Sequence, residues 1–471
     1  MGQTRGVVIA GISGGSGKSV VAVGLAAALR RAQFRVQPFK KGPDYIDAGW
    51  LQLASAGTCY NLDPYLMSRE AIESSFARRA CGADYVIVEG NRGLFDGVNL
   101  KGGYSTAELS LMLGLPVILV VSCTKITRTV AALVLGCKFF DPRLRIAGVV
   151  LNQVATERQR RLISEAVAEY TGIPVLGAIP RLKADIFPMR HLGLTPHQEY
   201  DDSARALTTL AELAKDNLDL KKVKKVMQPI SFPVPEPRSE DIHATSESGR
   251  VRIGVLQDAV FQFYYPENLE ALEQQGAELV YVNALSDREL PTVDGLYIGG
   301  GFPENAASQL AANTSFLDSV KKAVASWLPV YAECGGLIYL GRSISLEEHR
   351  FTLVGVLPVD FSMSQKPQAH GYSIFRVDRD NPFYAKGSEI KGHEFRYSKV
   401  ERWDGKEEQL VVQMQRGTGF IGGRDGVTCK NVFAMYTHIH AEGTPQWARG
   451  FVAACLAEKE LRRSGARGSA R

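Results

Sequence analysis

The sequence predicts an α/β protein of two successive domains, the first a doubly wound parallel sheet. Three observations carry this expectation. Apolar strand-like runs alternate with helical runs through residues 1–214. A lysine- and proline-rich joint interrupts them at residues 215–250, and a second α/β pattern occupies residues 251–460. At roughly 100–200 residues per domain, a chain of 471 residues accommodates the division.

In the first half the expected strands are Val7–Ile12, Val36–Lys40, Tyr85–Glu89, Val117–Val121, Ile146–Leu151 and Val175–Ile179. Several are apolar on both faces, as strands buried between two helix layers must be. Helices such as Ser19–Arg31 and Arg158–Tyr170 fit between them. Regular alternation of this kind closes into a parallel sheet whose ligands sit at the carboxyl ends of the strands. The joint begins at Lys221, Lys222, Lys224 and Lys225, runs through Pro229, Pro233, Pro235 and Pro237, and stays polar to Arg250, which reads as a linker with a solvated basic face. Strands then resume at Arg252–Leu256, Leu279–Val282, Gly295–Ile298 and Val330–Glu333, followed by Gly371–Arg376 and Val432–Tyr436. Residues 461–471 read as a flexible basic tail.

Composition narrows the class further. A hydrophobic share of 45% and a charged share of 22% exclude a chain disordered throughout. A net charge of +5 over this length does not call for nucleic acid or an anionic membrane. The longest apolar stretch, Leu115–Val121, is far short of the ~20 residues that span a bilayer. Seven cysteines with no CxxC pair argue against a disulfide framework or zinc ribbon, and fit a reducing cytoplasm.

Two motifs carry chemistry. Gly11-Ile-Ser-Gly14-Gly15-Ser16-Gly17-Lys18-Ser19 follows a strand and opens a helix, the setting in which backbone N–H groups converge on phosphate oxygens. Gly14, Gly15 and Gly17 permit the tight turn, Ser16 lies among them, Lys18 would neutralise the β- and γ-phosphates of ATP, and Ser19 would offer its hydroxyl to Mg²⁺. Lys40, Lys41, Asp44 and Asp47 follow the second strand, and Glu89 ends the third, where a carboxylate can hold Mg²⁺. Asn152 closes another strand, from which an amide reads the edge of adenine or caps the next helix. The second motif is Ala332-Glu-Cys334-Gly335-Gly-Leu, a strand, a cysteine and two glycines before a helical run. A thiol on such an elbow gains from the helix N-terminus, and the Gly335 N–H is placed to help hold an oxyanion. The loop Gly299-Gly-Gly-Phe-Pro-Glu304 is a candidate for the rest of that hole. Tyr436-Thr-His438-Ile-His440 puts two histidines on one side of a late strand as candidate bases. The other six cysteines, Cys59, Cys81, Cys123, Cys137, Cys429 and Cys455, read as small apolar filling.

These motifs, with Lys40-Lys-Gly-Pro-Asp-Tyr-Ile-Asp47, Phe263–Leu269 and Gly392–Ser398, resemble the cobyrinate a,c-diamide synthase family. The N-terminal half is similar to dethiobiotin synthetase-like P-loop proteins and the C-terminal half to class I-type glutamine amidotransferases. The resemblance implies ATP- and glutamine-dependent amidation of the a and c acetates of a corrin-type macrocycle. It makes Ser19, Asp44 and Glu89 the Mg²⁺ candidates, Cys334 the nucleophile and His438, rather than His440, its activator. Glutamine and a tetrapyrrole carboxylate are the expected partners, with self-association open. Glu89-Gly-Asn-Arg-Gly-Leu94 departs from the Glu-Gly-Val-Met-Gly-Leu of many relatives, which leaves nickel-sirohydrochlorin or sirohaem as alternative acceptors. No carboxylate follows His438 by two residues, where many class I amidotransferases complete a triad. The rival readings are a cobyric acid synthase and a P-loop ATP switch with a decayed second half. Ammonia released by one half must reach the other unprotonated, so the two domains are expected to pack face to face.

Overall fold

The computed structural model describes residues 3–182, 189–190, 193–194, 200, 202–231 and 250–464, and divides into two units, Met1–Glu236 and Pro237–Arg471. In the first, strands and helices alternate as β1 (Arg5–Gly11), α1 (Lys18–Arg31), β2 (Val36–Lys41), α2 (Ile46–Ser55), β3 (Tyr60–Leu62), α3 (Arg69–Ala80), β4 (Tyr85–Gly93), α4 (Thr106–Leu113), β5 (Val117–Ser122), α5 (Thr129–Phe140), β6 (Ile146–Val154), α6 (Glu157–Thr171) and β7 (Val175–Pro180). Side chains of Ser68, Ser105 and Thr156 accept backbone N–H groups at the starts of α3, α4 and α6, satisfying donors that have no partner inside the helix. Left-handed Gly114 and Gly172 end α4 and α6.

The seven strands pair in parallel in the order β3-β2-β4-β1-β5-β6-β7. β1 is central, and Val7, Val8, Ile9 and Ala10 are wholly buried between the two helix layers. The doubly wound parallel sheet expected from the alternation is therefore present, with strand ends shifted by a few residues.

The expected linker is corrected over its first part, residues 215–231; residues 232–249 lie outside the described residues. Residues after 214 continue the first unit: α7 (Ser203–Asn217) is followed by α8 (Leu220–Val226), which contains the lysine run. After a short ladder of β8 (Met189–Arg190) and β9 (Gly193–Leu194) earlier in the chain, β10 (Gln228–Pro229) pairs antiparallel with the start of β1. The cause is apolar spacing within the basic run: Leu218, Val223 and Met227 are buried in the core that the sheet shares with α1 and α7, while Lys221, Lys222 and Lys225 are exposed. A Cβ on Gly24 of α1 would lie 2.8 Å from the Leu210 carbonyl, so only glycine lets α1 and α7 approach this closely. The prolines at 233, 235 and 237 lie outside the described residues.

The second unit begins with β11 (Val251–Leu256), β12 (Phe261–Phe263), α9 (Pro266–Gln274), β13 (Ala277–Val282), β14 (Gly295–Ile298), β15 (Gly300–Gly301), α10 (Ala307–Ala312), α11 (Thr314–Ala325), β16 (Val330–Glu333) and α12 (Gly335–Leu340). It continues through β17 (Ser343–Leu346), β18 (His349–Thr352), β19 (Val359–Met363), β20 (Ala369–Val377), β21 (Glu389–Arg396), β22 (Ser398–Trp403), β23 (Leu410–Arg416), β24 (Arg424–Cys429), β25 (Val432–Met435), β26 (His438–Ile439) and α13 (Gln446–Arg463). One sheet runs β13-β11-β14-β16-β25-β24-β23-β20-β21-β26, parallel as far as β25 and antiparallel beyond. Because β26 follows β25 by two residues yet pairs with β21, the antiparallel part returns on the strand that began it. Trp447, Tyr331 and Phe451 fill the core under the parallel strands. α13 runs to Arg463, past the expected start of the tail at 461; residues 465–471 lie outside the described residues. No helix among the described residues is long and apolar enough to cross a membrane.

Candidate active sites

At the carboxyl end of β1 the chain turns through Gly15 and Gly17, both at positive φ (73° and 93°), and enters α1 at Lys18. These angles are open to glycine at little cost. Ser16 fixes the loop from inside: its hydroxyl donates to the Ser13 carbonyl at 2.8 Å and accepts the Ser13 N–H at 3.1 Å. Gly14 and Gly15 stand at the exposed rim. Asn152, buried on β6, donates its amide to the Ser16 carbonyl at 3.0 Å, and a Cβ on Gly17 would collide with that amide at 2.0 Å. The capping alternative for Asn152 does not hold, because Thr156 caps α6; the amide braces the loop from behind.

Beside the loop lies a buried charge cluster. The Ser19 hydroxyl donates to Glu89 Oε1 at 2.7 Å. Lys40 Nζ lies 3.3 Å from the same carboxylate, 2.5 Å from Asp47 Oδ2 and 3.2 Å from the Gly90 carbonyl. Asp44 accepts the N–H groups of Ile46 and Asp47 at 2.9 and 3.1 Å, which holds the start of α2. Burial, which alone would lower the Lys40 pKa, is outweighed by Asp47, Glu89 and Asp44, so the ammonium stays charged. Burial and Lys40 together lower the pKa of Lys18. Burial raises Glu89 to about 7 and, with Asp47, raises Asp44 to about 6. Glu89 Oε2 is buried and makes no hydrogen bond. An unpaired carboxylate oxygen next to a serine hydroxyl fits a hard divalent cation. Among the described residues no three His, Cys, Asp or Glu side chains form a metal-binding group, so such a cation would take its other ligands from phosphate and water, as Mg²⁺ does.

In the second unit β16 ends at Glu333 and α12 begins at Gly335, leaving Cys334 at φ 45° and ψ −95°. A non-glycine residue held there stores on the order of 1–3 kcal/mol of strain. The turn closes because Gly336 has no side chain: a Cβ would lie 2.5 Å from the Ile298 carbonyl. Cys334 is buried, its Sγ 4.0 Å from the Phe395 carbonyl. His438 approaches it from β26, near enough for the thiol to act on the imidazole. Glu333 completes the group: its Oε2 lies 3.3 Å from His438 Nδ1, while Oε1 accepts the Ile439 N–H at 3.3 Å. Burial would lower the His438 pKa, but the hydrogen bonds and charges of Cys334 and Glu333 prevail and raise it to about 9. Phe263 packs against the imidazole at 4.3 Å between ring centroids, and His393 stacks on it at 5.0 Å. Burial, then the charge of His438, pushes His393 well below its usual range, so it stands as a neutral ring. The loop Gly299–Gly301 passes so close that a Cβ on Gly300 would lie 2.3 Å from His438 Cε1.

His440 does not join this group. The strand pairing ends at Ile439, and His440 turns to Tyr265 (4.7 Å between centroids) and Glu267 (Nε2–Oε1 3.6 Å). The carboxylate missing two residues after His438 is supplied by the residue before the nucleophile. Its only signal in the sequence was a charged residue ending an otherwise apolar strand, the pattern that also marks Glu89. Of the six cysteines read as filling, Cys81 is exposed and does not fill the core; Cys59, Cys123 and Cys455 are buried, and Cys137 and Cys429 are half-buried.

A phosphate loop beside a buried Lys–carboxylate cluster, and a strained cysteine paired with histidine and glutamate, define an ATP-dependent ligase that draws nitrogen from glutamine. Comparison with known proteins agrees domain by domain. Residues 7–192 match the family model described as a CobQ/CobB/MinD/ParA nucleotide binding domain, and residues 252–446 match a CobB/CobQ-like glutamine amidotransferase domain. Proteins named cobyrinate a,c-diamide synthase match along nearly the whole chain. The one from Magnetococcus marinus is 43% identical over 92% of this chain and 93% of its own, and the one from Archaeoglobus fulgidus 41% identical over 96% and 98%. The chain belongs to the cobyrinate a,c-diamide synthase family.

Proposed function

We propose that the protein converts cobyrinate to cobyrinate a,c-diamide, using ATP to activate the a and c acetate carboxylates and glutamine as the source of ammonia. The observation that carries this reading is the presence, in one chain, of the phosphate loop cluster and the Cys334–His438–Glu333 group. The shared name of its full-length relatives supplies the acceptor.

A carboxylate does not condense with ammonia in neutral water, so it must first be activated. In the first unit the N–H groups around Gly14, Gly15 and Gly17, with Lys18, hold the triphosphate of ATP and stabilise the charge that moves as the γ-phosphoryl passes to the acceptor oxygen. Lys40, pinned by Asp47 and Glu89, adds a fixed positive charge beside the loop. Ser19 and Glu89, with Asp44 nearby, would hold Mg²⁺, which when bound neutralises the β- and γ-phosphate oxygens. Asn152 keeps the loop in register against β6.

In the second unit the Cys334 sulfur attacks the amide carbon of glutamine. The Gly335 N–H and the Gly299–Gly301 loop stabilise the oxyanion, and His438 gives its proton to the departing ammonia. Water then cleaves the glutamyl thioester to release glutamate, and the ammonia displaces phosphate from the acyl phosphate. Mass spectrometry after offering cobyrinate, nickel-sirohydrochlorin and sirohaem in parallel tests the reading. A loss of about one mass unit per amidation, OH replaced by NH₂, on cobyrinate supports it. Modification of either other macrocycle alone refutes it.

A further inference from the structure

Lys41 has no part in the chemistry above. It ends β2, its backbone laddered to Leu62 of β3 and lying one step beyond the Lys40–Glu89 pair with β4. Because strand side chains alternate, it points to the opposite sheet face from Lys40. The electrostatics agree. Lys40, Glu89, Asp47 and Asp44 are the charges acting on Lys18, whereas Asp63, Lys40, Arg92 and Glu108 act on Lys41.

The side chain is only 5% exposed, and among the described residues it makes no hydrogen bond or ion pair. The neighbouring carboxylates are engaged with backbone. Asp63 accepts the N–H groups of Tyr65 and Leu66 at 2.8 and 3.3 Å, and Glu108 accepts that of Tyr104. A second cation, Arg92, stands exposed at the same strand ends with φ 52°. Gly42, at φ 85°, presses the end of β2 against Asn91, whose amide would lie 2.9 Å from a Cβ there. Gly93, the next residue after Arg92, ladders with Gly11 at the entrance to the phosphate loop.

A nearly buried ammonium that no carboxylate among the described residues pairs directly burdens the fold. Retaining one at the carboxyl edge of a sheet that binds anionic ligands provides a ready counter-charge. We propose that Lys41, with Asn91 and Arg92 on its rim, is a carboxylate subsite. It holds a non-reacting side-chain carboxylate of the acceptor while another is presented to the phosphate loop. The inference rests on the functional reading above and deepens it, since it requires an acceptor with several carboxylates.

The test compares wild type, Lys41→Met and Lys41→Arg as full chains. Equilibrium dialysis gives the cobyrinate Kd, steady-state amidation gives KM for cobyrinate and for ATP, and thermal melting gives the Tm of the ligand-free protein. Lys41→Met is expected to raise the cobyrinate Kd and KM about tenfold, the loss of one charge-assisted hydrogen bond, with the effect on KM rather than kcat. It should leave the KM for ATP unmoved and raise the ligand-free Tm, while Lys41→Arg retains cobyrinate affinity. Unchanged cobyrinate Kd and KM in Lys41→Met overturn the subsite while leaving the functional reading intact. A rise in KM for ATP instead would assign Lys41 to phosphate and also overturn it. So would a Lys41→Met chain that does not fold, because the charge is required to be a burden on the ligand-free protein. If wild type binds cobyrinate without amidating it, the functional reading fails and the subsite is judged by the Kd values alone. If wild type binds no cobyrinate, both fall.

Discussion

Glu333→Gln preserves the shape of the side chain beside His438 and removes its charge. The imidazole stands at about 9 against its ordinary 6.5. At 1.36 kcal/mol per unit, that difference corresponds to about 3 kcal/mol favouring the charged ring. Burial opposes the shift, and Cys334 and Glu333 together outweigh it, so removing the glutamate's charge should cost at least on the order of 1 kcal/mol, approaching a factor of ten. The sign follows from the direction of the shift. A group whose folded pKa is raised keeps its charged interactions fully below pH 6.5 and loses them as pH rises through about 9. Glutamine-dependent turnover, which needs the ring proton for the departing ammonia, should therefore fall along that alkaline limb. In Glu333→Gln the limb should move down by about one pH unit and the plateau drop about tenfold. Glutamate release measured from mildly acidic to alkaline pH reads both quantities, and ammonia-dependent amidation serves as the comparison that bypasses Cys334. An unchanged limb and plateau in the variant would refute the assignment of Glu333 as the partner of His438.

Other substitutions separate the two half-sites. Lys18→Ala should abolish amidation with either nitrogen source, at a cost of several kcal/mol of barrier, and near-normal ATP-dependent product formation would contradict the phosphate-loop assignment. Cys334→Ser should lose glutamine-dependent amidation yet recover product with concentrated ammonia at alkaline pH; wild-type use of glutamine by this variant would exclude the elbow as the nucleophile. Gly300→Ala should act like a mild Cys334 lesion, because its methyl group would meet His438 Cε1 at 2.3 Å and displace the ring. Glutamate release at the wild-type rate would show that the ring does not need its present position.

The parallel strands were legible because burial between helix layers leaves an unbroken apolar signature. Gly295–Ile298 and Val330–Glu333 stand where the sequence puts them, and Tyr85–Glu89 extends to Gly93 only because the ladder with β1 continues past the charge. The glycine-rich loop and the cysteine elbow were legible for a related reason, since each needs residues of unusual backbone freedom next to a reactive one. The antiparallel strands between 343 and 430 were largely missed. They are half-exposed, their alternation is diluted by charged residues, and their pairing is set by partners distant in sequence, as in the ladder of His393 with His438. Glu333 was missed as a partner because the expectation fixed the carboxylate by its distance from the histidine along the chain, whereas β16 and β26 bring it there through space. The lysine run of α8 was misread because charge density masked the apolar spacing of Leu218, Val223 and Met227.

The pairing of β10 with the start of β1 bears on how the protein can be divided. Residues that look dispensable by composition are stitched to the strand that carries the phosphate loop, and the guanidinium of Arg5 donates to the Met227 carbonyl at 2.7 Å. A fragment ended at residue 214 would cut α7 inside its last turn and strip a hydrogen-bonded neighbour from the central strand. One ended after Ser231 keeps every described element of the first unit whole. In a chimera that lends this nucleotide-binding half to another amidotransferase, the seam therefore belongs beyond the basic helix, because that helix travels with the nucleotide site.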